Sequence, residues 1–477
     1  MVALTTVMLL ASCGGGGGGG GQGATGTSSA SGTSSGATSS GGGTSSTSSS
    51  SGGDSGCDIT ITTSTSPGYT QLEAAQPGQT VCLAAGTYHW RVWLHKTTAS
   101  AGNAITIRAQ DPAHRPVFDY SGWWSYGGNG IPAAPGSYSS SDAYRSAWRV
   151  DGAYYTIDGV IIENVAGGDE NSAGIRYVNS SNLTIRNARF YHNDMGIQGG
   201  GSNTLVEYSE FDANGVPSTD QAHNIYILGG DNFTLRYSYS HDCRGGQDFH
   251  IRARNATLAY NWFQNAGDYE GDMMTEVSTY DAGANGTQNL LLIGNVFVQN
   301  AAPGNEGKFI TMYNDVGTPK PTFNLTALWN TFVFNDTYAY GAGVIQFSTN
   351  TLAAGTVTFA NNLVAGAGPT TPRSVVVATD GGSGAYTLSG SNNWLLSGFS
   401  GRTGALAGSV LGADPMFNAA GAYDYSLQSG SGARNAAATV VTPAPVSQVD
   451  APPPNNSATL SADWAVRGAV TSIGAHQ

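Results

Sequence analysis

Charge is scarce in this sequence: only 11% of its 477 residues are Asp, Glu, Lys or Arg, against about 25% in an average protein. Lys and Arg together number 19 against 32 Asp and Glu, a formal net charge of −13. Nucleic acid and anionic membrane surfaces need clustered basic residues, so neither suits this chain as a partner. An acidic polysaccharide stays open, because a local basic strip or a bound cation overrides the global sign. Cysteine is also sparse, with four copies, and no C-x-x-C or H-E-x-x-H arrangement offers zinc a ligand set. The short apolar run from Val2 to Leu10 is too short to span a bilayer. What replaces charge is Gly, at 68 copies, with abundant Asn, Ser and Thr. That composition favours tight turns and polar ladders over helices.

Six stretches repeat one pattern: Asn182-Leu183-Thr184-Ile185, Asn203-Thr204-Leu205-Val206, Asn232-Phe233-Thr234-Leu235, Asn255-Ala256-Thr257-Leu258, Asn289-Leu290-Leu291-Leu292 and Asn324-Leu325-Thr326-Ala327. Eight places after each Asn stands Phe190, Phe211, Ser240, Phe263, Phe297 or Phe332. Short alternation followed by a returning aromatic, at irregular intervals, predicts a wound β-solenoid in which stacked coils bury one continuous apolar column. A solenoid grows along one axis, so a chain of this length forms one long domain rather than several cores. Asn261, Asn295, Asn330 and Asn361 precede the returning Phe or Leu by two residues. They resemble the asparagine ladder that caps turns in right-handed parallel β-helices, where stacked amides satisfy buried backbone groups.

The opening of the folded part carries a further resemblance. A short helical pattern over Tyr69–Gln76 is followed by Pro77-Gly78 and the alternating Thr80-Val81-Cys82-Leu83. This looks like the start of bacterial pectate-lyase-like β-helix proteins, in which a small helix covers the open end of the solenoid and protects exposed strand edges. The fold expected is therefore all-β, a right-handed parallel β-helix with an N-terminal capping helix over residues 57–477. Regular coils are expected over about 154–394, with a closing segment at 395–477 that includes Asp414-Pro415-Met416-Phe417, Ser472-Ile473-Gly474-Ala475 and an extended strap at 442–454. Residues 91–150 form less regular coils with an aromatic insertion from Trp123-Trp124 through Tyr138 and Tyr144, which either lines a sugar groove or packs a loop. A bridge between Cys57 and Cys82 would pin the start of the domain in an oxidising compartment, stabilising it by roughly 3 kcal/mol. Cys243 reads as a small buried hydrophobe.

Ahead of the domain, Leu10-Ala11-Ser12-Cys13 resembles a bacterial lipoprotein lipobox, which implies a signal peptide over 1–13 and lipidation of Cys13. Gly14 in place of Asp resembles the outer-membrane sorting pattern. Residues 14–56, nearly pure Gly, Ser and Thr, read as a tether about 35 Å in root-mean-square span. The location expected is a bacterial outer-membrane lipoprotein, periplasmic or exposed at the cell surface.

The densest ionisable cluster lies between residues 220 and 276. If Phe249, Ile251 and Ala253 point inward, then Asp248, His250, Arg252 and Arg254 share the outer face. His223-Asn224-Ile225-Tyr226 one coil earlier presents Asn224 and Tyr226 outward, and Asp268, Glu270, Asp272 and Glu276 follow one coil later. Coils about 4.8 Å apart would make these one patch. The run Gly246-Gln247-Asp248-Phe249-His250-Ile251-Arg252-Ala253, with Tyr269-Glu270-Gly271-Asp272, resembles a segment of secreted β-helix proteins related to polysaccharide lyases. Relatives commonly read Ile-Lys-Ser-Arg there, so His250 stands where Lys is expected.

That resemblance implies elimination at uronate residues, a reaction needing a cation on the substrate carboxylate and a base for the C5 proton. His250 suits the base, being closest to neutrality. Arg252 or Arg254 would neutralise the carboxylate, and Tyr226 is a further catalytic candidate. His223, Asn224, Lys308 and Tyr313 are candidates for substrate binding, with Asp315 beside them. Asp248, Glu270, Asp272 and Glu276 could hold Ca²⁺, a hard cation that favours oxygen ligands, or simply balance the arginines in a surface ladder. His192 and His241 read as turn residues. A glycoside hydrolase on the same fold would use two or three carboxylates from Asp248, Glu270 and Asp272, although the Asp-Asp and Gly-His-Gly signatures of polygalacturonase-type hydrolases are missing. A non-catalytic carbohydrate-binding or adhesive surface protein is the third reading.

Overall fold

In the computed structural model the described residues are 56–124, 145–167, 170–217, 219–275, 286–300, 307–315, 320–335, 343–366, 374–379, 384–399, 402–438 and 471–475. Cys13, the tether up to residue 55, most of the aromatic insertion, Glu276 and the 442–454 strap lie outside them. Strands stack in parallel into one 21-stranded and one 12-stranded sheet, with a two-stranded antiparallel hairpin near the C-terminus. The chain is a right-handed parallel β-helix, the hand that parallel crossovers take in L-polypeptides. Each coil has three faces. On the coil that carries His250, the first face is Phe249–Ile251, the second Asn255–Ala259 and the third Trp262–Gln264.

The irregular repeat spacing is absorbed without disturbing register. Ile185, Val206, Leu235, Leu258, Leu292 and Ala327 are successive register partners on the second face. Phe190, Phe211, Ser240, Phe263, Phe297 and Phe332 are partners on the third. All of these side chains are buried. Inside, Phe190 stacks on Phe211 at 5.0 Å, Phe263 on Phe297 at 5.1 Å, and Phe297 on Phe332 at 4.8 Å. The apolar column is thus continuous, and no single coil could bury its own share.

The corner between second and third faces is two residues long on every coil from Gly159-Val160 to Asn392-Asn393. Its first residue turns the chain with positive φ, as at Tyr260, Gly294, Trp329 and Asn361. The second points inward. The buried ladder therefore runs Asn261, Asn295, Asn330, Asn362 and Asn393, each amide donating to the next side-chain oxygen at 2.9–3.3 Å. Asn361, expected as a ladder member, instead holds the backbone of Ala438. The asparagines that open the repeats form a second ladder on the solvent side, Asn324 to Asn289 at 3.0 Å and Asn289 to Asn255 at 2.9 Å.

The opening helix is Gly68–Glu73, shorter than expected, with Leu72 buried against the first coils. Cys57 and Cys82 are bridged, with Cα atoms 5.7 Å apart, and Cys243 is buried and free. Trp124 is buried and donates to Ser172 Oγ at 3.1 Å, so it packs the scaffold, whereas Trp123 is exposed and stacks on His89. Near the C-terminus, the hairpin of Phe417–Ala419 and Asp424–Leu427 lays Tyr425 on Trp262 at 5.6 Å. Ala475 N donates to Thr331 Oγ1 at 2.9 Å, which ties the tail to the third face. No helix among the described residues is long and apolar enough to cross a membrane.

Candidate active site

The first face carries a row of outward side chains in unbroken register: Arg149, Arg176, Gln198, Tyr226, His250, Asp272, Thr311 and Gln346. Their inward neighbours, Ile197, Ile225, Phe249 and Ile310 among them, hold the strands to the core. At the middle of the row four coils converge. The Tyr226 ring meets His250 edge-on with centroids 4.4 Å apart, and His223 stacks on His250 at 4.7 Å. His250 Nδ1 lies 3.1 Å from Asp272 Oδ1. Asp272 Oδ2 accepts from the Tyr269 hydroxyl at 3.2 Å, and Lys308 Nζ sits 4.4 Å from the Tyr269 ring centroid. Neither His250 ring nitrogen has a hydrogen-bond partner, Nδ1 lying against Asp272 and Nε2 facing no protein acceptor or donor.

His223 is fixed from behind. Its Nδ1 accepts from Gln247 N at 3.2 Å, an approach that Gly246 permits because a Cβ there would lie 2.5 Å from the same nitrogen. Arg252 is fixed as firmly, by two bonds to Asp315 at 2.8 and 2.6 Å and one to Thr275 O at 2.9 Å. This places its guanidinium 5.7 Å from the Tyr226 ring centroid. A planar fork held on a carboxylate is a strong, directional arrangement.

Burial governs the electrostatics here. It holds His223 down at about 3, with His250 acting in the same direction. It holds His250 well below the ordinary imidazole range, again assisted by Arg252. Both rings are therefore neutral at physiological pH. Burial pushes Asp272 up to about 7, opposed by His223, Arg252 and the Tyr269 bond. Tyr226 is raised by burial, with Arg252 pulling the other way. The result is an uncharged imidazole nitrogen, a phenol and a fixed cation side by side, an arrangement suited to moving one proton.

Several expected site residues lie elsewhere. Asn224 and Asp248 are not on the outer face. They belong to a second buried ladder in the turn before the first face, Asn193 to Asn214 to Asn224 to Asp248, with amide bonds of 2.8–3.0 Å. Asp248 Oδ2 also accepts from Gln264 N at 2.9 Å. Glu270 is fully buried against Asp248. Arg254 points to the solvent-side ladder, 4.0 Å from Asp231. Tyr313 lies one coil past Met274, half-buried, and Asp315 serves as the clamp on Arg252. His192 does sit at a turn, with φ of 55°.

His241 does not. It ends the strand Tyr239–His241 on the third face, where bonds to Asp242 and Glu210 outweigh burial and raise it to about 9.

Calcium was expected on Asp248, Glu270, Asp272 and Glu276. Asp248 and Glu270 face each other inside the turn while Asp272 faces His250, so these carboxylates do not converge as a ligand set. Among the described residues the group of three donors close enough to share an ion is Glu210, Asp212 and His241, within 4.8 Å. Arg189 already lies 3.0 Å from Glu210 and 2.6 Å from Asp212. With protonated His241 it balances those carboxylates, so they do not fit calcium well.

Burial pushes Asp248 far above the usual carboxylate range, reinforced by Glu270, and pushes Glu270 up to about 8. The folded state thus keeps a proton that the unfolded chain would release, and stability falls as pH rises from the ordinary carboxylate range through about 8. Glu270→Gln removes that titration. Its thermal midpoint should equal the wild type's in mild acid and exceed it near pH 9, read by calorimetry at both values. A wild-type advantage at the higher pH would contradict the protonated pair.

No protein-family model and no curated relative matches the sequence. Solved structures do. Pectate lyase Pel9A is 14% identical, covering 86% of this chain and 90% of its own, with a TM-score of 0.43. A family 6 polysaccharide lyase from Pseudopedobacter saltans is 13% identical, covering 75% and 92%, with a TM-score of 0.43. The catalytic domain of a family 87 α-1,3-glucanase is 12% identical, covering 76% and 69%, with a TM-score of 0.41.

Proposed function

We propose that this protein is a lipid-anchored, surface-located lyase that cleaves uronate-containing polysaccharide by β-elimination. The observation that carries the reading is His250: a buried, neutral imidazole whose Nε2 is unpartnered, in the middle of the outward row and in contact with Tyr226. Nε2 is the atom that takes the C5 proton. Asp272 lies on the Nδ1 side of the ring, Oδ1 at 3.1 Å. Arg252 supplies the fixed positive charge of the site, held by Asp315 against Tyr226. Lys308, beside Tyr269, is the further cation near the substrate carboxylate.

A hydrolase would need two accessible carboxylates about 5–9 Å apart. Asp248 and Glu270 are sealed in the turn, so of the three carboxylates expected for a hydrolase only Asp272 stands in the outward row, and Asp315 nearby is engaged by Arg252. Incubating the full chain with a panel of acidic and neutral polysaccharides separates the alternatives. Ultraviolet-absorbing unsaturated uronate supports the lyase. New reducing ends without absorbance make it a hydrolase, and neither makes it a binder. The anchor is checked by Cys13→Ser, expected to move the protein from the membrane fraction to the soluble one.

A further inference from the structure

The catalytic groups approach substrate from one side. Tyr226 and His250 are register partners on adjacent coils of the first face, and their rings touch. Among the described residues the charged groups acting on them and on His223 include Arg252, Asp272, Asp315 and Asp220, with Lys308 beside Tyr269. Each belongs to that face or to a turn leading into or out of it. With ring centroids only 4.4 Å apart, no sugar fits between phenol and imidazole. Whatever face of a uronate His250 addresses, Tyr226 addresses too.

We propose that this chain performs syn-elimination with His250 as base and Tyr226 as acid, and that its substrate is a uronate linked through an equatorial C4–O bond. The inference rests on the lyase reading. In a pyranose whose carboxylate is equatorial, H5 is axial. An axial C4–O bond, as in galacturonate or guluronate, is then antiparallel to C5–H and calls for base and acid on opposite faces of the ring. An equatorial C4–O bond, as in glucuronate or mannuronate, is gauche to C5–H, and both can be served from one face.

The step balances within the chain. Nε2 of His250 takes the C5 proton, and the C–H electrons delocalise into the carboxylate as an enolate. They then form the C4=C5 double bond as C4–O4 breaks, and the departing oxygen takes the Tyr226 phenolic proton. After product leaves, His250 gives its proton to solvent and Tyr226 regains one from it, so the chain is restored and no co-reactant is consumed.

The test uses the full chain and four homopolymers: polymannuronate, glucuronan, polyguluronate and polygalacturonate. With unsaturated product as the readout, kcat/KM on either of the first two should exceed that on both others by about 100-fold or more. Equal or faster cleavage of an axial-linked polymer overturns syn-elimination while leaving the lyase reading intact. No unsaturated product from any polymer overturns the lyase reading itself. Tyr226→Phe keeps the ring contacts and should lower kcat about 100-fold on the preferred polymer with little change in KM. Unchanged kcat in that variant removes Tyr226 as the acid and the proposal with it.

Discussion

His250→Ala should lower turnover by about 10²- to 10⁴-fold, the range a positioned general base contributes, with the far-ultraviolet circular dichroism spectrum unchanged. The fold should survive because His250 points away from the apolar column, whose members on that strand are Phe249 and Ile251. The pH profile sharpens the test. Burial and Arg252 hold the imidazole well below its ordinary range, so the base remains available in mild acid. The acid limb of kcat/KM should therefore not fall where a solvent-exposed histidine would place it. Asp272→Asn should shift that limb and cost less than loss of the ring itself, since Asp272 faces only Nδ1. Undiminished turnover in His250→Ala would remove the imidazole from the mechanism.

The largest effect on stability is expected at Asn295. Its amide donates to Leu258 O at 2.8 Å and to Asn330 Oδ1 at 2.9 Å, and its carbonyl accepts from the backbone and side chain of Asn261 at 2.9 and 3.0 Å. All three residues of that ladder segment are fully buried. Asn295→Ala strands donors and acceptors that water cannot reach, at about 1–3 kcal/mol each, so a total loss above about 3 kcal/mol is expected. Asn289→Ala cuts an apparently similar ladder on the solvent side. Water replaces those bonds, and a loss under about 1 kcal/mol is expected. Denaturant midpoints of the two variants provide the comparison, since a long solenoid does not guarantee two-state unfolding. Equal destabilisation would mean that burial does not distinguish the two ladders.

The coil repeat was legible because it depends on side chains that recur at one position per turn of the solenoid. The corner, two residues long, could be placed only to within one position, which is why Asn361 stood in for Asn362. His250, Tyr226 and Arg252 were also legible by alternation, but Asn224, Asp248 and Arg254 were not. The strand holding His250 has three residues, and beyond its ends the turns re-aim the side chains, so in-and-out parity stops carrying information. One signal was present and unread. Ser240 replaces the aromatic of its repeat, and its hydroxyl meets Asn224 Nδ2 at 3.0 Å and Asp248 O at 3.3 Å. The missing ring marks where the polar ladder enters the core.

The constancy of one corner also says how such a chain can change. Differences in coil length fall between strands on either side of the first face, such as 213–224, 275–286 and 300–309, while the corner from second to third face keeps its two residues. A fixed spine opposite a tolerant rim lets segments beside the first face be exchanged or lengthened without retuning the stack. New polymer preferences are then open to loop grafting, with the spine as the part to leave untouched.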